Sequence, residues 1–246
     1  MRSSEVMTKF EGRVALVTGA SGGIGRRIAE RLAAEGAIVA LHYATNDQPV
    51  RELAAELPQS AVFQADLSGV DAPNRLVDEV EAKLGQVDVL VATHGVGGVA
   101  KLHDVDAAAF DATYAVNLRA PYLLARRTLH GMVEGGFGRV LFMSSIAGLT
   151  GGIIGPHYAA SKAGLHGLTH YLAARMAQHG ITVNALAPAL IEDTGMLPGD
   201  PGELARKIPV GRVGRPEEVA DMAMAMLRNG YLTNQVVSLD GGMYPG

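Results

Sequence analysis

Apolar and β-branched residues gather in seven short runs along the chain: RVALVTG at 13–19, AIVALHY at 37–43, AVFQAD at 61–66, VDVLVAT at 87–93, RVLFMSS at 139–145, ITVNALA at 181–187 and QVVSLD at 235–240. Runs of this length with β-branched enrichment predict buried strands. The stretches between them carry a different period. Ile24, Ile28 and Leu32 recur at helical spacing, as do Val70, Leu76, Val77, Val80 and Leu84, which predicts crossover helices. Strands and helices in strict alternation imply an α/β, doubly wound fold: a seven-stranded parallel sheet with helices on both faces, whose ligands bind beyond the carboxyl ends of the strands. One segment breaks the period. Residues 188–215, PALIEDTGMLPGDPGELARKIPVGRVGR, are rich in proline and glycine and follow the sixth strand; a long irregular loop there reads as a lid or binding loop rather than a domain boundary. A single domain over 11–246 is expected.

Composition narrows the classes. A domain of 246 residues buries about 70 to 75% of its unfolded surface, and 48% hydrophobic against 19% charged residues argues against disorder beyond the ends. The net charge is −4 and the basic residues are scattered, so no basic face favours nucleic acid. The absence of cysteine removes disulfides, thiolate zinc sites and a cysteine nucleophile. The opening MRSSEVMTKF lacks a signal-peptide core and no apolar run is long enough to span a bilayer. The expectation is a cytoplasmic protein with a flexible leader at 1–10.

VTGASGGIGRRIAERLA follows the first strand and opens the first helix. Gly19 suits a tight turn, Gly23 admits a pyrophosphate to the backbone, and Gly25 lets helix and strand pack closely. The helix N-terminus adds unpaired N–H groups and partial positive charge. The spacing, G-x-x-x-G-x-G, differs from the general G-x-G-x-x-G pattern, and no Gly-Lys-Ser/Thr follows, which excludes a Walker-type site.

Thr18, Gly19, Gly23 and Gly25 match the T-G-x-x-x-G-x-G turn of the short-chain dehydrogenase/reductase family, and the chain resembles that family nearly end to end, through YAVNL, SSIAG, YAASK and ITVNALAP to VVSLDGG. The resemblance implies a seven-stranded Rossmann sheet, a homotetramer, and hydride transfer between a nicotinamide cofactor and a carbonyl or alcohol. It places cofactor contacts at Gly19, Ser21, Gly23, Ile24, Gly25, Tyr43, Ala44, Thr45, Asp66, Leu67, Gly95, Tyr158, Lys162, Pro188, Ile191 and Thr194.

In PHYAASK, Pro156 suits the first turn of a helix, so Tyr158 and Lys162 lie on one face, roughly 6 Å apart along the axis. A phenol titrates near pH 10; a neighbouring ammonium, with the positive ring of an oxidised cofactor, favours phenolate and lowers that value. Hydride arriving at a carbonyl carbon leaves charge on oxygen that needs such a proton donor. Ser145, at the carboxyl end of the fifth strand, can donate to the same oxygen, and Asn117 is a polar residue in an apolar helical pattern that needs a partner. By resemblance, Ser145 orients substrate, Tyr158 is the acid or base, Lys162 tunes Tyr158 and binds the nicotinamide ribose, and Asn117 holds a proton-relaying water.

The end of the second strand decides between NAD and NADP, because a carboxylate there accepts from the ribose and repels a phosphate. Tyr43 stands at that place, Thr45 and Asn46 are phosphate donors, and the first carboxylate is Asp47; this favours NADP over NAD. Gly22 points the other way, since many NADP-dependent relatives carry a basic residue there. Asp66 resembles the family's adenine partner, or caps the next turn.

The chain also departs from the family. Ala92, Thr93 and His94 replace Asn-Asn-Ala before Gly95, Ala189 replaces a glycine after Pro188, and Asn234 a glycine before Gln235. His94 reads as a solvated or hydrogen-bonded structural residue. His166 and His170 share metal-ligand spacing without an adjacent glutamate or evident third ligand, so no metal is expected and a solvent or subunit-interface role is. The nearest-looking branch is the 3-oxoacyl carrier-protein reductases; Gly136 and His179 stand where that branch commonly has arginines, which argues against docking of an acidic carrier protein. Leu190, Ile191, Met196, Leu197 and LTGGIIGP supply hydrocarbon for a substrate pocket or for packing the lid. Two rivals stand beside a carbonyl reductase: an NAD-linked alcohol or sugar dehydrogenase, and a non-catalytic nucleotide sensor.

Overall fold

The computed structural model describes residues 10–195, 197 and 199–244. Each of the seven apolar runs forms a strand: β1 (Val14–Thr18), β2 (Ile38–Tyr43), β3 (Ser60–Gln64), β4 (Val87–Ala92), β5 (Gly138–Met143), β6 (Ile181–Pro188) and β7 (Val236–Leu239). They build one parallel sheet in the order β3-β2-β1-β4-β5-β6-β7, with Leu16 facing Leu90 and Val17 facing Leu41 in the central register. The strand order switches direction between β1 and β4, so the crevice beyond their carboxyl ends is the ligand-binding position of this topology.

Alternation along each strand feeds two cores. Ala15, Val17, Val89 and Val91 pack toward α1 (Gly23–Ala34), α2 (Gln48–Glu56) and α9 (Pro216–Arg228), meeting Ile28, Leu32, Leu53 and Met224. Val14, Leu16, Leu90 and Phe142 point the other way, into α3 (Ala72–Leu84), α5 (Ala120–Gly135) and α7 (Pro156–Met176). Burial on both faces is why these strands read as continuous apolar runs rather than alternating ones.

Three boundaries differ from the sequence expectation. Phe10 is fully buried in the first core and its carbonyl accepts from Arg13 N–H, so the leader cannot extend to residue 10; residues 1–9 lie outside the described set. Val70 is exposed and precedes α3, because the helix begins at Ala72 and Pro73, whose fixed φ suits a first turn. The 188–215 stretch is not wholly irregular: it holds α8 (Pro201–Ala205) and a satellite cluster of Leu204, Ile208 and Val213 against Leu190 and Leu197. Among the described residues, no helix is long and apolar enough to cross a membrane.

Candidate active site

The turn from β1 into α1 is closed by Gly22 N–H donating to the Gly19 carbonyl at 3.1 Å. Gly22 is the N-cap, offers no side-chain cap, and no acidic residue occupies the first turn, so the helix presents free N–H groups and uncompensated positive charge to the crevice. These groups fit a pyrophosphate. A Cβ on Gly25 would stand 2.3 Å from the Gly19 oxygen, so only glycine lets helix and turn approach this closely. Ser21, Gly23 and Ile24 are partly exposed at the rim, and Gly23 lies against the Asp193 carbonyl of the 188–215 segment.

At the tip of β2, Tyr43 is buried while Ala44, Thr45 and Asn46 are exposed. Arg51 pairs with Asp47 at 2.6 Å, and Asp47 and the neighbouring Tyr43 both favour its charged form. Sequence reasoning missed Arg51, which lies eight positions beyond the strand on the next helix. Asp66 is exposed and accepts from Ser68 N–H at 2.9 Å, a bond that lowers its pKa; of the two expectations for it, the turn-capping one describes its own contacts. Leu67 beside it is buried.

β5 and α7 deliver the chemistry. Ser145 sits just past β5, ahead of the one-turn helix α6 (Ala147–Thr150), where its Oγ accepts from Ala147 N–H at 3.2 Å and its hydroxyl lowers the Tyr158 pKa. Lys162 donates to the Met143 carbonyl at 2.8 Å, and its Nζ lies 5.7 Å from the Tyr158 ring centroid. Burial pushes Lys162 down to about 8. Burial also raises Tyr158, and Ser145 opposes that only in part. The expected lowering of the phenol by the ammonium is thus not supplied by the chain alone: desolvation of the phenolate outweighs the other local effects. Tyr158 depends on a close glycine approach, since a Cβ on Gly97 would lie 2.8 Å from its ring. Gly95 faces the Lys162 ammonium.

Asn117 occupies a wide π turn at Ala115–Arg119 between α4 (Ala107–Tyr114) and α5, a local irregularity frequent at functional sites. It is fully buried and makes three hydrogen bonds: its amide donates to Val96 O at 2.8 Å and Ser161 Oγ at 3.1 Å, and Oδ1 accepts from Val96 N at 2.8 Å. Its side chain pins the loop after β4 onto α7. A cavity of about 380 Å³ opens over these groups, lined by Ile24, Ser145, Tyr158 and Lys162 and, from the far side, by Pro188, Ile191 and Thr194. Met196 lies outside the described residues.

Thr93 and His94 tie the segment after β4 to the end of β1. Thr93 Oγ1 donates to Thr18 O at 2.5 Å. His94 Nδ1 lies 2.5 Å from Thr18 Oγ1 and its Nε2 is 3.1 Å from Val116 O; the carbonyl can only accept, so Nε2 carries the proton and Nδ1 accepts from the hydroxyl. One imidazole therefore links the glycine turn to the residue before Asn117. His94 is half-buried, with both ring nitrogens engaged rather than solvated, and desolvation with lesser repulsion from His42 and Lys162 pushes it down to about 3. His42 repeats the device: Gly19 N–H donates to Nδ1 at 3.2 Å and Nε2 donates to Ala65 O at 3.0 Å. Desolvation holds it near 4.

His166 bonds Ser144 Oγ at 2.7 Å and His170 bonds Asn234 Oδ1 at 2.7 Å; no group of three or more metal-ligating side chains gathers among the described residues. Asn234 has a φ of 65°, a left-handed conformation asparagine tolerates better than most residues, which explains its standing where glycine is usual.

The profile of the short chain dehydrogenase family matches residues 13–201. An acetoacetyl-CoA reductase of Allochromatium vinosum is 35% identical over 243 residues, covering 94% of this chain and 98% of that protein. A 3-oxoacyl-[acyl-carrier-protein] reductase of Rickettsia bellii is 34% identical over 243 residues, covering 96% and 99%. The solved structure of a Serratia marcescens short-chain dehydrogenase/reductase double mutant superposes with a TM-score of 0.89 at 31% identity, covering 96% of this chain and 99% of that one. With the glycine turn, the strand order and these matches agreeing over almost the whole length, the chain belongs to the short-chain dehydrogenase/reductase family of NAD(P)-dependent oxidoreductases.

Proposed function

We propose that the protein reduces the ketone of a 3-oxoacyl-type or similar small carbonyl compound with NADPH. The observation that carries this reading is the convergence of Ser145, Tyr158 and Lys162 on one cavity beside the glycine turn. The nicotinamide cofactor supplies the hydride; the chain supplies everything that handles the oxygen. Tyr158 and Ser145 hydroxyls, which line the same cavity, share a substrate carbonyl oxygen, Ser145 orienting it and Tyr158 giving it a proton. A raised phenol suits this direction, because it keeps Tyr158 protonated until charge develops on the substrate. Lys162, titrating near 8, stays mostly cationic at neutral pH and stabilises the phenolate left behind. Asn117, Gly95 and Gly97 fix the loop against which Tyr158 packs.

For the cofactor, Gly19, Ser21, Gly23 and Ile24 would hold the pyrophosphate, and Pro188, Ile191 and Thr194 would serve the nicotinamide end. The preference for NADPH rests on the absence of a carboxylate at Tyr43 and on the Arg51 guanidinium nearby, a phosphate partner once it exchanges Asp47. The Asp47 carboxylate favours a second reading, NAD-linked oxidation of an alcohol. Carrier-protein docking is not part of the proposal: Gly136 has a φ of 64° as the C-cap of α5, a conformation that selects against arginine.

The test is oxidation of NADPH and NADH with acetoacetyl thioesters, β-keto esters, diketones and quinones. Tyr158→Phe should bind NADPH normally and lose turnover by about 10²- to 10⁴-fold. Near-normal turnover in that variant removes the mechanism, and a higher kcat/KM with NADH overturns the cofactor preference.

A further inference from the structure

The cavity continues past Tyr158 to a wall that the proposed chemistry leaves unused, formed by Met243 and Tyr244 beyond the last strand. That turn is tied down at several points. Ala189 N–H donates to Leu239 O at 3.0 Å, and Val210 N–H donates to Gly241 O at 3.1 Å, which couples the chain end to the 188–215 segment. Asp240 then grips the turn with both carboxylate oxygens, Oδ1 accepting from Gly242 N at 2.9 Å and Oδ2 from Tyr244 N at 3.0 Å. Met243 and Tyr244 are each 38% exposed, so they stand at the mouth rather than in the floor. The same cavity is lined by Ile153, Ile154, Leu190 and Leu197, and Lys162 is the only charged side chain among the described residues that line it.

We infer that Asp240 is a positioning residue that holds Met243 and Tyr244 as the outer wall of the substrate pocket, where they receive the uncharged, apolar arm of the ketone. The inference rests on the reading of this site as a carbonyl-reducing one. A four-carbon substrate ends near Tyr158 and leaves the wall untouched, whereas a medium-length acyl chain reaches it, so the turn sets chain-length preference without entering the proton transfer. Removing the wall exposes roughly one or two methylenes of a long substrate and nothing of a short one.

The experiment compares four-carbon and ten-carbon 3-oxoacyl thioesters of N-acetylcysteamine. Tyr244→Ala and Asp240→Ala should raise KM for the ten-carbon substrate by about fivefold to tenfold. The kinetics of the four-carbon substrate and KM for NADPH should stay within about twofold. Tyr244→Phe should behave as the parent, because the apolar face of the ring remains, and Asp240→Asn should fall between parent and alanine. Equal losses at both lengths, no change at the long one, or a Tyr244→Phe effect as large as alanine's would overturn the inference. Circular dichroism melts would serve as the control that each variant is folded. Were the parent to reduce neither ketone, the proposed function would fail by itself. Calorimetric binding of the two thioesters to the NADPH complex would then decide the wall: a length preference lost in Tyr244→Ala upholds it, and equal affinity of the parent for both lengths refutes it.

Discussion

Acidification from about pH 8 to about pH 5 should destabilise this protein chiefly through His42 and His94. His42 is 2% exposed, is held near 4 by desolvation, and uses Nδ1 as the acceptor for Gly19 N–H. An imidazole whose folded pKa lies below its unfolded value, about 6.5, leaves the unfolded chain binding more protons throughout the interval between the two. Stability from the neutral ring is therefore complete above the unfolded value and falls as pH drops through the window toward 4. At pH 5 the shortfall is about 1.5 units, worth about 2 kcal/mol for His42 at about 1.4 kcal/mol per unit. His94, held near 3, passes through the same upper window; with some of its surface open to the crevice it adds a smaller amount, for a pair total of about 3 kcal/mol. The chain has no tryptophan, so urea unfolding followed by far-UV circular dichroism at the two pH values is the assay, with the double variant His42→Asn, His94→Asn as the comparison. The amide oxygen introduced by His42→Asn can still accept from Gly19 N–H, so the double variant should be less stable near pH 8 by about 1 to 2 kcal/mol for the lost bonds to Ala65 and Val116, yet fall much less on acidification. Carboxylate titration is common to both proteins and cancels. A double variant that loses as much stability as the parent between these pH values would refute the claim that the two rings are held neutral.

Two further outcomes follow from packing and charge. Gly25→Ala forces a Cβ to 2.3 Å from the Gly19 oxygen, so it should destabilise by about 1 to 3 kcal/mol and weaken NADPH binding at least about tenfold as α1 shifts; a melting temperature and calorimetric affinity equal to the parent's would show that the helix relaxes freely. Lys162→Met should abolish most turnover without loss of stability at neutral pH, because an amine whose pKa is lowered to about 8 by burial disfavours folding until pH passes about 8 to 10.5. The parent should accordingly gain stability on that rise and the methionine variant should not, as urea melts at the two ends of the range would reveal.

The apolar runs determined the strands, and the alternation with helical spacing determined a doubly wound α/β fold, because buried parallel strands and crossover helices each impose a local period that the chain must carry. Failures fell where locality ends: Phe10 belongs to the core only because the sheet is there to receive it, and Val70 keeps helical spacing but lies before the helix start. The motif residues named the candidate chemistry, since Tyr158 and Lys162 share one helix and their spacing alone puts them on one face. Their surroundings were not legible. Thr18 and His94 are 76 positions apart, and Met143 reaches Lys162 only through the β5–α7 packing. Arg51 and the Met243–Tyr244 wall likewise acquire meaning from elements distant in the chain. Sequence by itself thus decided which elements form and which reactive side chains they carry. The tertiary structure alone decided which nitrogen of His42 and of His94 bears its proton, that burial raises the phenol and lowers the ammonium, and what closes the mouth of the pocket. Desolvation and hydrogen bonding depend on which atoms surround a group, and those atoms come from strands and loops that only the folded sheet brings together.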